Sequence, residues 1–185
     1  MTLPVLRFDA APPREGPSRT LDLLVLDQVR IDAWDRVLFL ECGDGWVVEE
    51  AWRRMGKGYV CGLSLSPQLI EVAVRLRGVP GRVEFKTWGG DSLPLPDRSF
   101  DRVIVCVPWG AYREPATVLG EMARVLRPGG DAYVLEAGVS TAVLRRLLAD
   151  ASLTDVAEHR CETVPQRHND GAIPVVIRAR RRGSS

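Results

Sequence analysis

The chain reads as short, unbroken apolar runs separated by stretches with helical spacing. From Ser18 onward, Leu21, Leu24, Val25 and Val29 fall at i, i+3, i+4 and i+8, which predicts an amphipathic helix. Residues 1–17 precede it with Pro4, Pro12, Pro13 and Pro17 and no sustained period, so an irregular arm is expected there. Four apolar runs follow, at Val37–Leu40, Tyr59–Leu63, Val103–Val107 and Ala132–Leu135, with a mixed run at Val83–Thr87 whose apolar members are Val83 and Phe85. Continuous runs of this kind suit parallel strands covered by helices on both faces, because neither face meets water.

Punctuation between the runs agrees. Ser66 is placed to cap a helix that opens with Pro67, where the missing N–H costs nothing. A later helix is expected to end near Leu126, ahead of the turn Pro128-Gly129-Gly130. Strand and helix in alternation predict an α/β, doubly wound, mostly parallel sheet. After Asp150 the alternation stops. Val156–Val164 and Ile173–Ala179 predict two strands of an antiparallel C-terminal hairpin joined by Pro165–Gly171, with Arg178, Arg180, Arg181 and Arg182 blunting an exposed strand end. One domain over residues 18–182 accounts for the pattern.

Composition removes several function classes. The 185 residues carry 25 Lys plus Arg against 24 Asp plus Glu, so no one-signed field draws the chain to nucleic acid or an anionic membrane. No apolar run approaches the roughly 18 residues that a membrane-spanning helix needs. Cys42, Cys61, Cys106 and Cys161 are scattered, with no CxxC pair, so no metal site is expected and a reducing, cytoplasmic setting is. Neither His159, on the predicted hairpin, nor His168, in its polar loop, stands out as a base.

The candidate chemistry lies in Val37-Leu-Phe-Leu-Glu-Cys-Gly-Asp-Gly45, where a strand runs into a glycine turn and then a helix. Glycines there let backbone approach a ligand, and the helix start offers unpaired N–H groups. The turn sits at the carboxyl end of a predicted parallel strand, where open sheets place ligands. A nicotinamide-binding turn would want Gly-x-Gly-x-x-Gly and an acid about 20 residues on; Glu41-Cys-Gly-Asp-Gly-Trp46 lacks that spacing, and Ser64 stands where the acid would be.

Three further segments fall in order after the turn: Gly62-Leu-Ser-Leu-Ser-Pro67, Leu93-Pro-Leu-Pro-Asp-Arg-Ser-Phe-Asp101 and Arg124-Val-Leu-Arg-Pro-Gly-Gly130. Together the four resemble the motifs of class I S-adenosylmethionine-dependent methyltransferases (type 11-like), across roughly residues 35–137. The resemblance implies a Rossmann-like seven-stranded sheet with its last strand antiparallel, and S-adenosylmethionine lying across the ends of the first two strands. On it, the cofactor-binding candidates are Glu41, Cys42, Gly43, Gly45, Ser64, Leu65, Asp91 and Ser92, and the substrate candidates are Trp109 and Tyr112. It implies in-line methyl transfer to a small molecule or an exposed chain end, with no universal catalytic residue.

The sequence departs from the family at the donor motif. Where the family's first motif reads Asp-x-Gly-x-Gly-x-Gly, this chain has Phe39, Glu41, Gly43 and Gly45. The second strand normally ends in an acid that grips both ribose hydroxyls, and here it ends in Ser64. Gly90-Asp91 resembles the family's Gly-Asp pair, but the interval to Leu93-Pro94 is shorter by about two residues, so Asp91 is either the adenine-binding acid or displaced from that position. Glu41 either meets the donor's amino group or fills its methionine pocket. A fold that has lost the donor and serves as a partner or scaffold for another protein is therefore the alternative reading.

Overall fold

The computed structural model describes residues 17–107, 112–136, 141–160 and 175–183. Its elements run α1 Pro17–Gln28, β1 Arg36–Leu40, α2 Trp46–Met55, β2 Tyr59–Ser64, α3 Pro67–Arg77, β3 Val83–Thr87, β4 Phe100–Val105, α4 Pro115–Val125, β5 Leu126–Glu136, α5 Thr141–Asp150, β6 Leu153–Arg160 and β7 Val175–Arg181. The strands form one sheet in the order β3-β2-β1-β4-β5-β7-β6. The first five pair in parallel with one another, while β7 is antiparallel to both β5 and β6. This is the α/β, mostly parallel sheet with an antiparallel C-terminal hairpin that the pattern predicts, with the seven strands that the family resemblance implies. The arm over residues 1–16 and the loop Pro165–Gly171, with His168, lie outside the described residues.

Burial explains the unbroken runs. Leu38 and Leu40 enter a cluster with Val103, Val105, Met122 and Leu144. Val37 and Phe39, one residue out of phase, enter a second cluster with Val25, Val48, Ile104 and Tyr133. Alternate residues of one strand thus supply opposite faces, both capped by helices, and no position is left for a polar side chain. The cap is as expected: Ser66 precedes α3, and its hydroxyl accepts a hydrogen bond from the Leu69 N–H.

Two expectations are corrected. Pro128-Gly129-Gly130 is not a turn outside the sheet: β5 begins at Leu126, pairs there with Phe100, and slips register before Arg102 pairs with Asp131. Gly129 takes φ 80 in this irregular stretch, which glycine adopts without strain. The arginines of the last strand do not end an exposed edge either. β7 lies between β5 and β6. Within it, Arg180 Nε donates to Asp131 at 3.0 Å, and Arg181 donates to the Leu126 carbonyl. The edge strand at this end of the sheet is β6, whose pairing shifts between Thr154 and Ala157 and whose Asp155 sits at φ 52.

Candidate active site

Parallel pairing aligns the carboxyl ends of β1 and β2, with Leu40 opposite Leu63. Cys42 N–H extends the ladder to the Leu63 carbonyl at 3.0 Å, after which the chain turns toward α2. Gly45 N–H donates to the Cys42 carbonyl at 3.0 Å and closes the turn. Gly43 and Gly45 hold φ 59 and 81. Their neighbourhoods differ: a Cβ on Gly43 would meet no atom within 4 Å, whereas one on Gly45 would lie 2.6 Å from the Phe85 ring and 2.9 Å from Ala73. Gly43 therefore faces open space, and Gly45 is demanded by packing.

The turn is braced from α3. Arg77 donates to the Asp44 carbonyl at 3.0 Å and to its Oδ2 at 3.2 Å, and reaches Glu49 Oε2 at 3.2 Å. Asp44 Oδ1 in turn accepts the Trp46 N–H at 3.1 Å, satisfying one donor at the start of α2. Cys42 turns its side chain inward, within 2.7 Å of where a Gly62 Cβ would be. Burial, then the nearby Glu41 charge, pushes its thiol well above the ordinary range.

Glu41 is the residue that the family pattern does not supply. It is 8% exposed and stands at φ 56, a left-handed conformation that costs a non-glycine residue about 1–2 kcal/mol. Its carboxylate reaches across to the tip of β2. Oε2 accepts from Ser64 Oγ at 3.4 Å and from the Leu65 N–H at 3.3 Å, while Oε1 accepts from Trp88 Nε1 at 2.9 Å. Ser64, also buried, accepts the Ser66 N–H at 3.2 Å.

Glu41, Ser64 and Leu65 are thus brought together, beside Cys42, Gly43 and Gly45. Leu65 packs on the loop after β3, its Cδ2 lying 3.3 Å from where a Gly90 Cβ would be. Asp91 and Ser92 are both exposed. Asp91 Oδ1 accepts the N–H of Ser92 at 2.8 Å. Tyr112 is buried edge-on against Trp88, ring centroids 6.2 Å apart. Burial, and then Glu41, raises its phenol. Trp109 lies outside the described residues.

Sequence reasoning missed Trp88. The available signal was a large ring with one N–H donor directly after β3, since such a group finds a partner when buried.

The 93–97 loop is tied down by Arg124, which donates to the Leu93 and Leu95 carbonyls, to Asp97 and to Glu121. Glu121 also accepts the Leu93 N–H at 2.7 Å. Hydrogen bonds from Arg124 hold the Glu121 carboxyl below its ordinary 4.5, against the opposing effect of burial. A folded value below the unfolded one means that the ionised carboxylate stabilises the fold above pH 4.5, and that this contribution is lost as pH falls through the lowered value. Thermal melts of the native chain and Glu121→Gln should therefore differ by a constant gap above about pH 5.5. The gap should close in acid; one that widens there would contradict the assignment.

Among the described residues, no cluster of three or more His, Cys, Asp or Glu is arranged to hold a metal ion, and no helix is long and apolar enough to cross a membrane. Cavities of about 440 Å³ between α1 and α2, and about 370 Å³ beside β3 and α3, are lined by residues other than those of the Glu41 cluster.

A glycine turn at the tip of the central parallel strands, a polar cluster at the next tip and this strand order define a Rossmann-like methyltransferase fold. A family model described as a methyltransferase domain matches residues 37–130. The chain belongs to this class I methyltransferase family, whose cofactor is S-adenosylmethionine. It is 33% identical to methyltransferase GfsG of Streptomyces halstedii over 138 residues, 73% of this chain and 47% of that protein. The chain spans about half the length of this curated relative.

Two solved structures share the fold. The [4+2]-cyclase SpnF superposes with a TM-score of 0.75 at 20% identity, covering 90% of this chain and 82% of its own. A S-adenosylmethionine-dependent methyltransferase from Aquifex aeolicus gives 0.72 at 20% identity, covering 89% and 93%.

Proposed function

We propose that this chain binds S-adenosylmethionine over the tips of β1 and β2 and transfers its methyl group to a small molecule or an exposed chain end. The observation that carries the reading is the open face at Gly43 next to the polar cluster of Glu41, Ser64 and the Leu65 N–H. A charged nucleoside needs both room for close backbone approach and hydrogen-bonding groups beside it, and these residues fit that need. The turn from Cys42 to Gly45 would hold the methionine end, and Leu65 with the 90–92 loop would flank the base.

The bound donor supplies a methyl group on a positively charged sulfur, already activated for displacement by an acceptor's electron pair. The protein's task is then orientation more than acid–base chemistry. Arg77 keeps the turn in place through Asp44, and the buried Trp88–Tyr112 pair walls the site with apolar surface. Acceptor choice is assigned to the arm and first helix over residues 1–30, the loop after Val107 and the 165–171 loop. A protein substrate or partner is compatible with the same reading.

The burial of the Glu41 carboxylate favours a second reading, in which that side chain has replaced the donor and the fold serves as a partner or scaffold. SpnF, a [4+2]-cyclase, illustrates that this fold is not tied to one chemistry. Isothermal titration of the full chain with S-adenosylmethionine and S-adenosylhomocysteine separates the two. Saturable binding of either is the expected result. No binding at millimolar ligand would remove the donor-binding reading and leave the second.

A further inference from the structure

The chain passes from β3 to β4 without an intervening helix. The first stretch of that crossing is fixed at both ends. Trp88 is buried, and its N–H donates to the Ser64 carbonyl at 3.3 Å, one step beyond the paired residues Ser64 and Thr87. Leu93 is buried too, and α4 holds both of its main-chain groups. Its N–H donates to Glu121 Oε2 at 2.7 Å, and its carbonyl accepts from Arg124 at 3.0 Å. Gly89, Gly90, Asp91 and Ser92 alone span the interval.

We infer that Glu121 and Arg124 are positioning residues for donor binding. From α4 they fix Leu93, and through it the 90–92 segment that flanks the base, without touching the donor. The inference rests on the donor-binding reading above.

Three observations carry it. First, the clamp is assembled on the helix itself. Arg124 Nε and Nη2 bond Glu121 Oε1 and Oε2 at 2.7 Å each, a two-pronged pair one turn apart. Each side chain thus orders the other before either meets the loop.

Second, the pair is directed at main chain. Arg124 also donates to the Leu95 carbonyl at 2.9 Å, and the Arg124 and Val125 carbonyls accept the N–H groups of Arg98 and Ser99 at 3.0 and 2.8 Å. An ion pair near the surface contributes little to stability by itself. One that grips the N–H and C=O of a loop residue sets the course of the loop.

Third, the segment between the fixed ends cannot set its own course. Gly89 and Gly90 give it a permissive backbone, with Gly90 at φ 95, and the Asp91 carboxylate turns back on the Ser92 N–H. Gly90 meets the tip of β2 at Leu65, whose Cδ2 lies 3.3 Å from where a Cβ would be. With four residues between its ends, a displacement of Leu93 passes directly to Gly90 and Leu65. Misplacement of this kind weakens a site from a distance.

The test compares variants of the full chain in titration with S-adenosylhomocysteine, in the cold, where circular dichroism shows each to be folded. Glu121→Ala removes the acceptor for the Leu93 N–H and is expected to weaken binding on the order of 10-fold. Arg124→Lys keeps a charge beside Glu121 but cannot reach the Leu93 and Leu95 carbonyls together, and should behave alike. Glu121→Gln keeps an oxygen for the Leu93 N–H and should stay within about 3-fold of native, although its melt is lower. Leu148→Val, a buried change on α5, lowers the melt by another route and should leave affinity within about 2-fold. Amide exchange across residues 89–93 without ligand reads the clamp directly: faster in Glu121→Ala, native-like in Glu121→Gln.

Native affinity in Glu121→Ala would overturn the inference. So would a loss in Glu121→Gln or Leu148→Val as large as in Glu121→Ala, since binding would then follow stability alone. Native-like exchange in Glu121→Ala would overturn it whatever the titrations gave. In these cases the native chain still binds and the donor reading stands. If the native chain itself does not bind, the donor reading has failed, and the role assigned to the clamp falls with it.

Discussion

Gly45→Ala is expected to lower the stability of the chain by about 2–4 kcal/mol, from about 1 kcal/mol for a left-handed backbone and about 1–3 kcal/mol for overpacking. The new methyl group would sit 2.6 and 2.7 Å from the Phe85 ring and 2.9 Å from the Ala73 Cβ. The ring edge has some freedom, but Ala73 is fully buried on α3 and its helix is pinned to β2 and β3 by packing. For a chain of this size the loss corresponds to a fall in melting temperature of about 5–15 °C, readable by circular dichroism. Gly43→Ala is the control. It shares the backbone conformation, φ 59, without any atom within 4 Å of the new methyl, so only the backbone part, about 1 kcal/mol, should appear. Equal melting of the two variants would show that the turn is not packed as described.

The second large effect concerns the residue that replaced the family's first acid. Phe39→Asp, which restores that acid on paper, is expected to abolish cooperative unfolding. Phe39 is 0% exposed, paired with Gly62 on one side and Ile104 on the other, and packed under α2. Removing the ring costs about 3–5 kcal/mol. A carboxylate left in apolar surroundings adds several more. Together these rival the whole stability of an ordinary domain, about 5–15 kcal/mol. Phe39→Leu, a change of shape more than of polarity, should cost about 1.5 kcal/mol or less. A melt of Phe39→Asp within a few degrees of native would mean that the side chain reaches water or a cation.

These contrasts bear on what the sequence could say. The strands of the sheet were legible because both faces are buried, which forces the unbroken runs at 37–40, 59–63 and 103–105. Caps were legible where a side chain does the capping, as at Ser66. The run Pro128–Gly130 reads as a turn because proline and glycine mark turns, whereas pairing of Leu126 with Phe100 draws the segment into β5. The place of β7 between β5 and β6 follows from long-range pairing that no local period encodes.

At the site, the losses at positions 39, 41 and 64 were plain from the motif. The direction of the Glu41 side chain was not, because it depends on a left-handed backbone and on Trp88, 47 residues away. The Asp91 carboxylate closes on the next N–H in its own loop, a local contact that motif spacing does not encode.

The slip in pairing along β6 has a bearing on solubility. An outermost strand offers a row of unclaimed N–H and C=O groups to any passing chain. Here the row is broken between Thr154 and Ala157, with Asp155 turned into a left-handed conformation and Glu158 and Arg160 exposed beyond it. A second molecule could not zip along that border in register, so the molecule carries its own guard against fibrous self-addition at that end of the sheet.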